Sequence, residues 1–226
     1  MQRILEPELM ADSQQARAYA AADFEQAHSR YVMLFQDKFP DVPNEAQVLD
    51  IGCGPCDVTF RFARAFPRWR IDAVDGSPGM LALAREAVAQ TPDLAGRIRF
   101  VEGVIPEAKL PEVAYDVIFS SSLLHHLPGG QALWQMVMTY ARPGTIVFVA
   151  DLRRPASREQ AQQFVQKYSG NEPAVLRRDF YNSLLAAFTP EEVCEQLTIA
   201  GLNLTVEEIS DRHLVAYGVT KPNGAP

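Results

Sequence analysis

Residues 48–57, Val-Leu-Asp-Ile-Gly-Cys-Gly-Pro-Cys-Asp, place two glycines, two cysteines and a lone carboxylate at the end of an apolar stretch. Gly52 and Gly54, between a strand and a helix, let a ligand come close to the backbone, and the helix start offers free N–H groups. Asp50 sits inside an otherwise apolar strand, where a carboxylate is costly unless paired. A cationic group on a ligand, or N–H groups of the loop, must satisfy it. A pyrophosphate is a poor occupant, because the third glycine of a dinucleotide fingerprint falls on Asp57. Asp75, 21 residues after Gly54, ends the next strand. There it can accept both hydroxyls of a ribose, or serve as a turn residue before Gly76. The pair Cys53 and Cys56 at a helix start also fits dithiol redox chemistry, since a helix N-terminus lowers a thiol pKa.

The elements that must position these residues follow in order. Apolar residues at Ala20, Phe24, Ala27, Tyr31, Leu34 and Phe35 predict a helix within 12–39, stopped by Pro40. Residues 47–52 read as a strand, 58–66 as a helix and 70–75 as a second strand. Ser77 and Pro78 then cap and open another helix. Strands are expected at 98–102, 115–120 and 145–151, with a helix at 131–140. Thr189-Pro190-Glu191-Glu192 is a capping box, and Gly201 ends its helix. On that helix Cys194 groups with Val193 and Leu197 as core. Residues 202–209 and 213–220 form an antiparallel hairpin. The alternation predicts an α/β, Rossmann-like fold: seven strands, mostly parallel, helices on both faces and a C-terminal antiparallel hairpin. The expected organisation is a single domain over 1–226, with a helical cap at 1–40 and a mobile-looking, lid-like insert at 152–188.

Composition narrows the function. The chain has 226 residues, 47% of them hydrophobic, enough for one substantial core. A net charge of −7 argues against broad nucleic-acid binding. No apolar run reaches the roughly 18 residues of a membrane span. The first residues lack the apolar core of a signal peptide. Three cysteines form no disulfide framework, so a cytoplasmic location is expected.

Over residues 46–151 and the terminal hairpin, the chain resembles the class I methyltransferases that use S-adenosylmethionine. VLDIGCGPC looks like the family's first motif, IDAVDGSPGML like its second and FVEGVIPEA like its third. YDVIFSSSLLHHL and PGTIVFVADL resemble the fourth strand with its exit loop, and the fifth strand. The resemblance implies that Asp50 stands near the methionine amino group, directly or through water. Gly52, Cys53 and Gly54 would offer backbone to the methionine part, and Asp75 would hold the ribose hydroxyls beside Gly76 and Ser77. Met80 would pack near the adenine, with Ser120 and Ser121 under the methionine moiety. The family often has an Asp after Glu102-Gly103; here it is Val104, which offers only backbone and an apolar wall. Cys53-Gly54-Pro55-Cys56 is also the C-G-P-C of thioredoxin-like sites. No Trp precedes it, however, and the rest of the chain continues the methyltransferase pattern. A zinc site there lacks a second nearby pair.

In that fold the acceptor approaches the carboxyl ends of the fourth and fifth strands. His125, His126, Asp151, Arg153 and Arg154 fall there. Adjacent side chains diverge, so at most one histidine is expected to face the pocket; His125 is preferred over His126 as the candidate catalytic base, with a histidine that packs or hydrogen-bonds structurally as the alternative. Tyr19, Tyr31, Arg153, Arg178 and Tyr181 are the candidate acceptor-binding residues, since an Arg can pair a carboxylate or phosphate. Phe180 and Phe188 would anchor the insert. The expectation is metal-independent methyl transfer to a small molecule, an anionic one among the options, with no nucleic-acid or membrane partner and the oligomeric state left open. Methylation of a protein or peptide, and non-catalytic binding of the cofactor, are the alternatives.

Overall fold

The computed structural model describes residues 1–6, 16, 17, 19, 20 and 24–221. Its helices are α1 (Glu25–Lys38), α2 (Asp57–Ala65), α3 (Pro78–Ala89), α4 (Gln131–Tyr140), α5 (Arg158–Ser169), α6 (Ala174–Ala186) and α7 (Pro190–Ala200). Its strands are β1 (Gln47–Ile51), β2 (Arg70–Asp75), β3 (Ile98–Glu102), β4 (Tyr115–Ser121), β5 (Ala141–Leu152), β6 (Thr205–Glu208) and β7 (His213–Val219). The strands form one sheet in the order β3-β2-β1-β4-β5-β7-β6. The pairs among β1 to β5 are parallel, and β7 runs antiparallel to β5 and β6.

Strand residues alternate between two cores, as the two-residue period requires. Val48, Ile71, Val117, Phe119 and Phe148 share one core with Phe35 of α1 and Phe62 of α2. Leu49, Ile51, Val74, Ile118 and Val147 share the other with Trp134 of α4 and Val193 of α7. Phe35 stands edge-on to Phe62, Trp69 and Phe148, so α1 is held to the sheet by aromatic packing. The helix predicted within 12–39 is seen as α1; residues 12–15, 18 and 21–23 lie outside the described residues.

Local signals hold where they were strongest. Ser77 Oγ accepts the Met80 N–H, and the Thr189–Glu192 capping box has both of its reciprocal bonds. The insert is largely helical. Residues 152–188 contain the helical pair α5 and α6, which buries Phe164, Leu184 and Leu185 against Leu152. The Arg, Pro and Gly content of this segment reads as loop, while the apolar spacing Leu176, Leu184, Leu185 is what folds it. Phe188 is buried and Phe180 packs on the same cluster. Cys194 is exposed, one step round α7 from the buried Val193 and Leu197, and is not core. No helix among the described residues is long and apolar enough to cross a membrane.

Candidate active site

β1 pairs with β2 on one side and β4 on the other. The chain leaves β1 towards one face and β4 towards the other, which opens a crevice at the strand ends. The loop after β1 is hung on the end of β2. Gly52 N–H and Cys53 N–H donate to the Val74 carbonyl at 2.8 and 3.0 Å. Gly54 N–H donates to Asp75 Oδ2 at 2.8 Å, and Ser77 N–H to Asp75 Oδ1 at 2.7 Å. This path needs a left-handed backbone at Gly52, with φ +74°, where a Cβ would also fall 2.6 Å from Leu123 Cδ2. Burial raises the Asp75 pKa, against the pull of its two N–H donors. Its turn role is therefore real, while its carboxylate still borders the cavity.

That cavity has a volume of about 250 Å³. Gly52, Cys53, Gly54, Asp75, Gly76 and Ser77 form one wall. Met80, Val104 and Ser121 form part of another, with Ser122 beside them. Ser120 is not on the wall: it is buried, and its hydroxyl donates to the Ile51 carbonyl at 2.7 Å, tying β4 to β1. Asp50 lies beneath the loop and is 1% exposed. Its Oδ2 accepts the Thr59 hydroxyl at 2.5 Å, while Oδ1 has no hydrogen-bond partner. Loop N–H groups do not satisfy it. Burial pushes its pKa up to about 7, and the Asp75 charge adds to the shift.

The cysteines lack the electrostatics of a redox site. Burial pushes the Cys53 thiol pKa well up, and neighbouring Cys56 adds to it. An attacking thiol needs the opposite shift. Cys56 is fully buried in the left-handed conformation at the start of α2.

The structure brings only part of the acceptor-side set to the cavity. Tyr19 lines the cavity with Ala20, Phe24 and His28. Burial pushes its pKa up to about 12. Tyr31 is 2% exposed, packed between His28 and His213, and does not line it. Arg153 Nη1 lies 3.3 Å from Glu208 Oε1, facing the β6 edge instead. Arg178 is solvent-exposed beside Asp179, and Tyr181 packs on the α5–α6 cluster. His125 is buried with Nδ1 2.5 Å from Asp151 Oδ1. Asp151 also accepts the N–H groups of Leu124 and Leu152 at 2.7 and 2.6 Å. Burial opposes a charge on His125, but the Asp151 carboxylate outweighs it and raises the pKa. His126, not His125, is on the cavity wall. The turn Leu124–His126 rotates the first ring inward, onto Asp151.

Residues missed in the sequence complete the mouth. Arg61 Nε donates to Asp57 Oδ2 at 2.9 Å, and Arg61 Nη1 lies 2.8 Å from Glu25 Oε2. His28 Nδ1 lies 2.6 Å from Asp57 Oδ2. Burial opposes ionisation of Asp57, but its bonds from His28 and Arg61 prevail and bring its pKa down to about 2. The Asp57–Arg61 spacing of one helical turn is a readable signal. His28 reaches Asp57 only through the packing of α1 on α2.

Residues 48–144 match the family described as "Methyltransferase domain". The chain is 31% identical over 149 residues to a trans-aconitate 2-methyltransferase of Deinococcus radiodurans, covering 66% of this chain and 53% of that protein. It is 28% identical over 187 residues to the enzyme of the same name in Streptomyces coelicolor, covering 79% and 58%. The chain thus spans about half the length of these curated relatives. Among solved structures, a SAM-dependent methyltransferase from Aquifex aeolicus aligns with a TM-score of 0.66 at 15% identity, covering 90% of this chain and 96% of that one. The plantazolicin methyltransferase BpumL, solved with a triazolic desmethylPZN analog and SAH, aligns with a TM-score of 0.69 at 14% identity, covering 92% and 90%. Over residues 48–144 the chain is similar to a methyltransferase domain, and its sheet has the fold of solved SAM-dependent methyltransferases.

A Gly52→Ala variant tests the loop. The left-handed backbone costs a Cβ-bearing residue about 1–2 kcal/mol, and the methyl must displace Leu123. The melting temperature should fall, and affinity for S-adenosylhomocysteine should drop at least tenfold by calorimetry. A variant that melts and binds like the wild type would show that the loop is built otherwise.

Proposed function

We propose that the protein transfers the methyl group of S-adenosylmethionine to a small-molecule acceptor. The observation that carries this reading is the buried, unpartnered Asp50 Oδ1 beneath a glycine loop tied to Asp75. An orphaned carboxylate oxygen is costly, and a ligand with a cationic amino group beside the loop offsets that cost. Asp75 would take the ribose hydroxyls, with Gly76 and Ser77 beside it. Met80 and Val104 supply apolar walls for the adenine, and Ser121 borders the methionine part.

The bound sulfonium supplies an already activated methyl group, so the protein's task is alignment and exclusion of water. Tyr19, Phe24 and His28 line the cavity, whose small volume suits a small acceptor better than a folded protein chain. An anionic acid is the class favoured by the name that two relatives carry, trans-aconitate 2-methyltransferase. Arg61 lines the cavity, but its charge is already balanced by Asp57 and Glu25, so an acid must share or exchange that pair. His125 in its Asp151 pocket positions the turn beside the acceptor rather than taking the acceptor's proton.

Methyl-labelled S-adenosylmethionine, incubated with the protein and either trans-aconitate or a bacterial extract separated into small molecules and proteins, tests the reading. Label should enter the small-molecule fraction. Label confined to proteins favours the peptide alternative, and binding without transfer favours a cofactor-binding role.

Asp75→Ala should lower affinity for S-adenosylhomocysteine at least tenfold, about 1.4 kcal/mol, while the circular dichroism spectrum is kept. Unchanged affinity would mean that the ribose lies elsewhere.

The pKa of about 7 at Asp50 gives a pH signature. In the free protein the carboxyl is protonated below that value; bound ammonium favours the carboxylate and lowers its pKa. Affinity should therefore rise with pH from 5.5 to about 7 and then level off. Asp50→Asn should flatten the profile. A wild-type affinity independent of pH over this range would remove Asp50 from the ligand's surroundings.

A further inference from the structure

Glu6, His125 and His126 form a cluster that methyl transfer leaves unused, with their ligand atoms all within 4.8 Å of one another. Glu6 belongs to an N-terminal strap fastened across the turn after β4. Arg3 Nη2 donates to the carbonyls of His125 and Leu127 at 2.9 and 2.7 Å, and Nη1 to that of Pro128 at 2.7 Å. Ile4 N–H donates to the Leu185 carbonyl at 3.0 Å. The strap thus delivers Glu6 to the histidines.

The bond from His125 Nδ1 to Asp151 fixes the neutral ring with its proton on that nitrogen and a lone pair on Nε2. Nε2 lies 3.5 Å from Glu6 Oε1, and His126 Nδ1 lies 3.2 Å from the same oxygen. Oε1 is buried and makes no hydrogen bond. A lone pair facing a carboxylate oxygen is unfavourable unless a positive charge lies between them. These two separations suit a shared metal: bonds of about 2.1 Å in a tetrahedron put ligand atoms roughly 3.4 Å apart. Asp151 behind His125 is the outer support that a metal-binding histidine carries.

We propose that Glu6 Oε1, His125 Nε2 and His126 Nδ1 bind a divalent transition metal of the zinc type, locking the strap onto the turn that borders the cavity. Two imidazoles and a carboxylate suit such an ion, and three protein ligands leave a fourth position for solvent or an acceptor oxygen. Arg3, which reaches the turn, is engaged by backbone carbonyls. The site was not foreseen from sequence, because Glu6 and the histidines lie far apart along the chain. The proposal does not depend on which molecule is methylated.

The test uses the full chain, stripped with a chelator and titrated with zinc chloride by calorimetry in a non-coordinating buffer. Binding of one zinc per chain with a rise in melting temperature is expected, and cobalt(II) should give the intense visible bands of a tetrahedral site. Glu6→Gln and His126→Ala should each weaken binding at least tenfold, and Asp151→Asn about 10–100-fold. The exposed edge of His126 makes its variant the one best able to fold. No stoichiometric binding by the folded wild type would overturn the proposal. So would binding that survives both Glu6→Gln and His126→Ala, which would put the ion elsewhere, for example at the cysteines.

Discussion

Everything around the cavity depends on one suspension: the loop after β1 hangs from the end of β2. The Val74 carbonyl takes two of its N–H groups, and the Asp75 carboxylate takes a third. Only a left-handed turn at Gly52 and Gly54 can present those donors sideways while the chain rises into α2. With Ser77 N–H on the other Asp75 oxygen, the starts of α2 and α3 are fixed to a single side chain. The walls of the cavity follow from this, since Met80 comes from α3 and Ser121 from β4, the strand on the far side of β1.

The site's charges have one sign to spare. Asp50 and Asp75 lie under and beside the loop without a cationic partner, whereas Arg61 is paired with Asp57 and Glu25. A cavity of this kind repels a phosphate and welcomes a molecule carrying an ammonium and a sulfonium. That distinguishes it from a dinucleotide site on a similar sheet, where a third glycine stands in place of Asp57. Under the proposed function, an anionic acceptor would be drawn by the cofactor's own positive charge, by exchange with the Arg61 pair, or by both.

Much of this half of the molecule was legible because its signals are local. Ser77-Pro78 caps a helix within four residues, Asp75 closes a strand, and alternation writes the strands directly. The acceptor half was less legible because its contacts join distant segments. Neighbouring histidines cannot be told apart in sequence, and the turn that sends His125 inward to Asp151 is set by β5. Arg153 carries the right chemistry for binding an acid, yet the β6–β7 hairpin claims it. The helices of 152–188 were hidden by charged residues on their solvent faces. Glu6 and Arg3 gave no local sign of their partners.

The central claim is that the loop from Gly52 to Gly54, with Asp75, is where the cofactor sits. Amide NMR of the isotope-labelled protein during titration with S-adenosylhomocysteine tests it most directly. The account predicts saturable shifts concentrated at Gly52, Cys53, Gly54 and residues 75–77, with small changes in α5 and α6. Saturation with shifts confined to other regions, or no shifts at all in a folded protein, would contradict it.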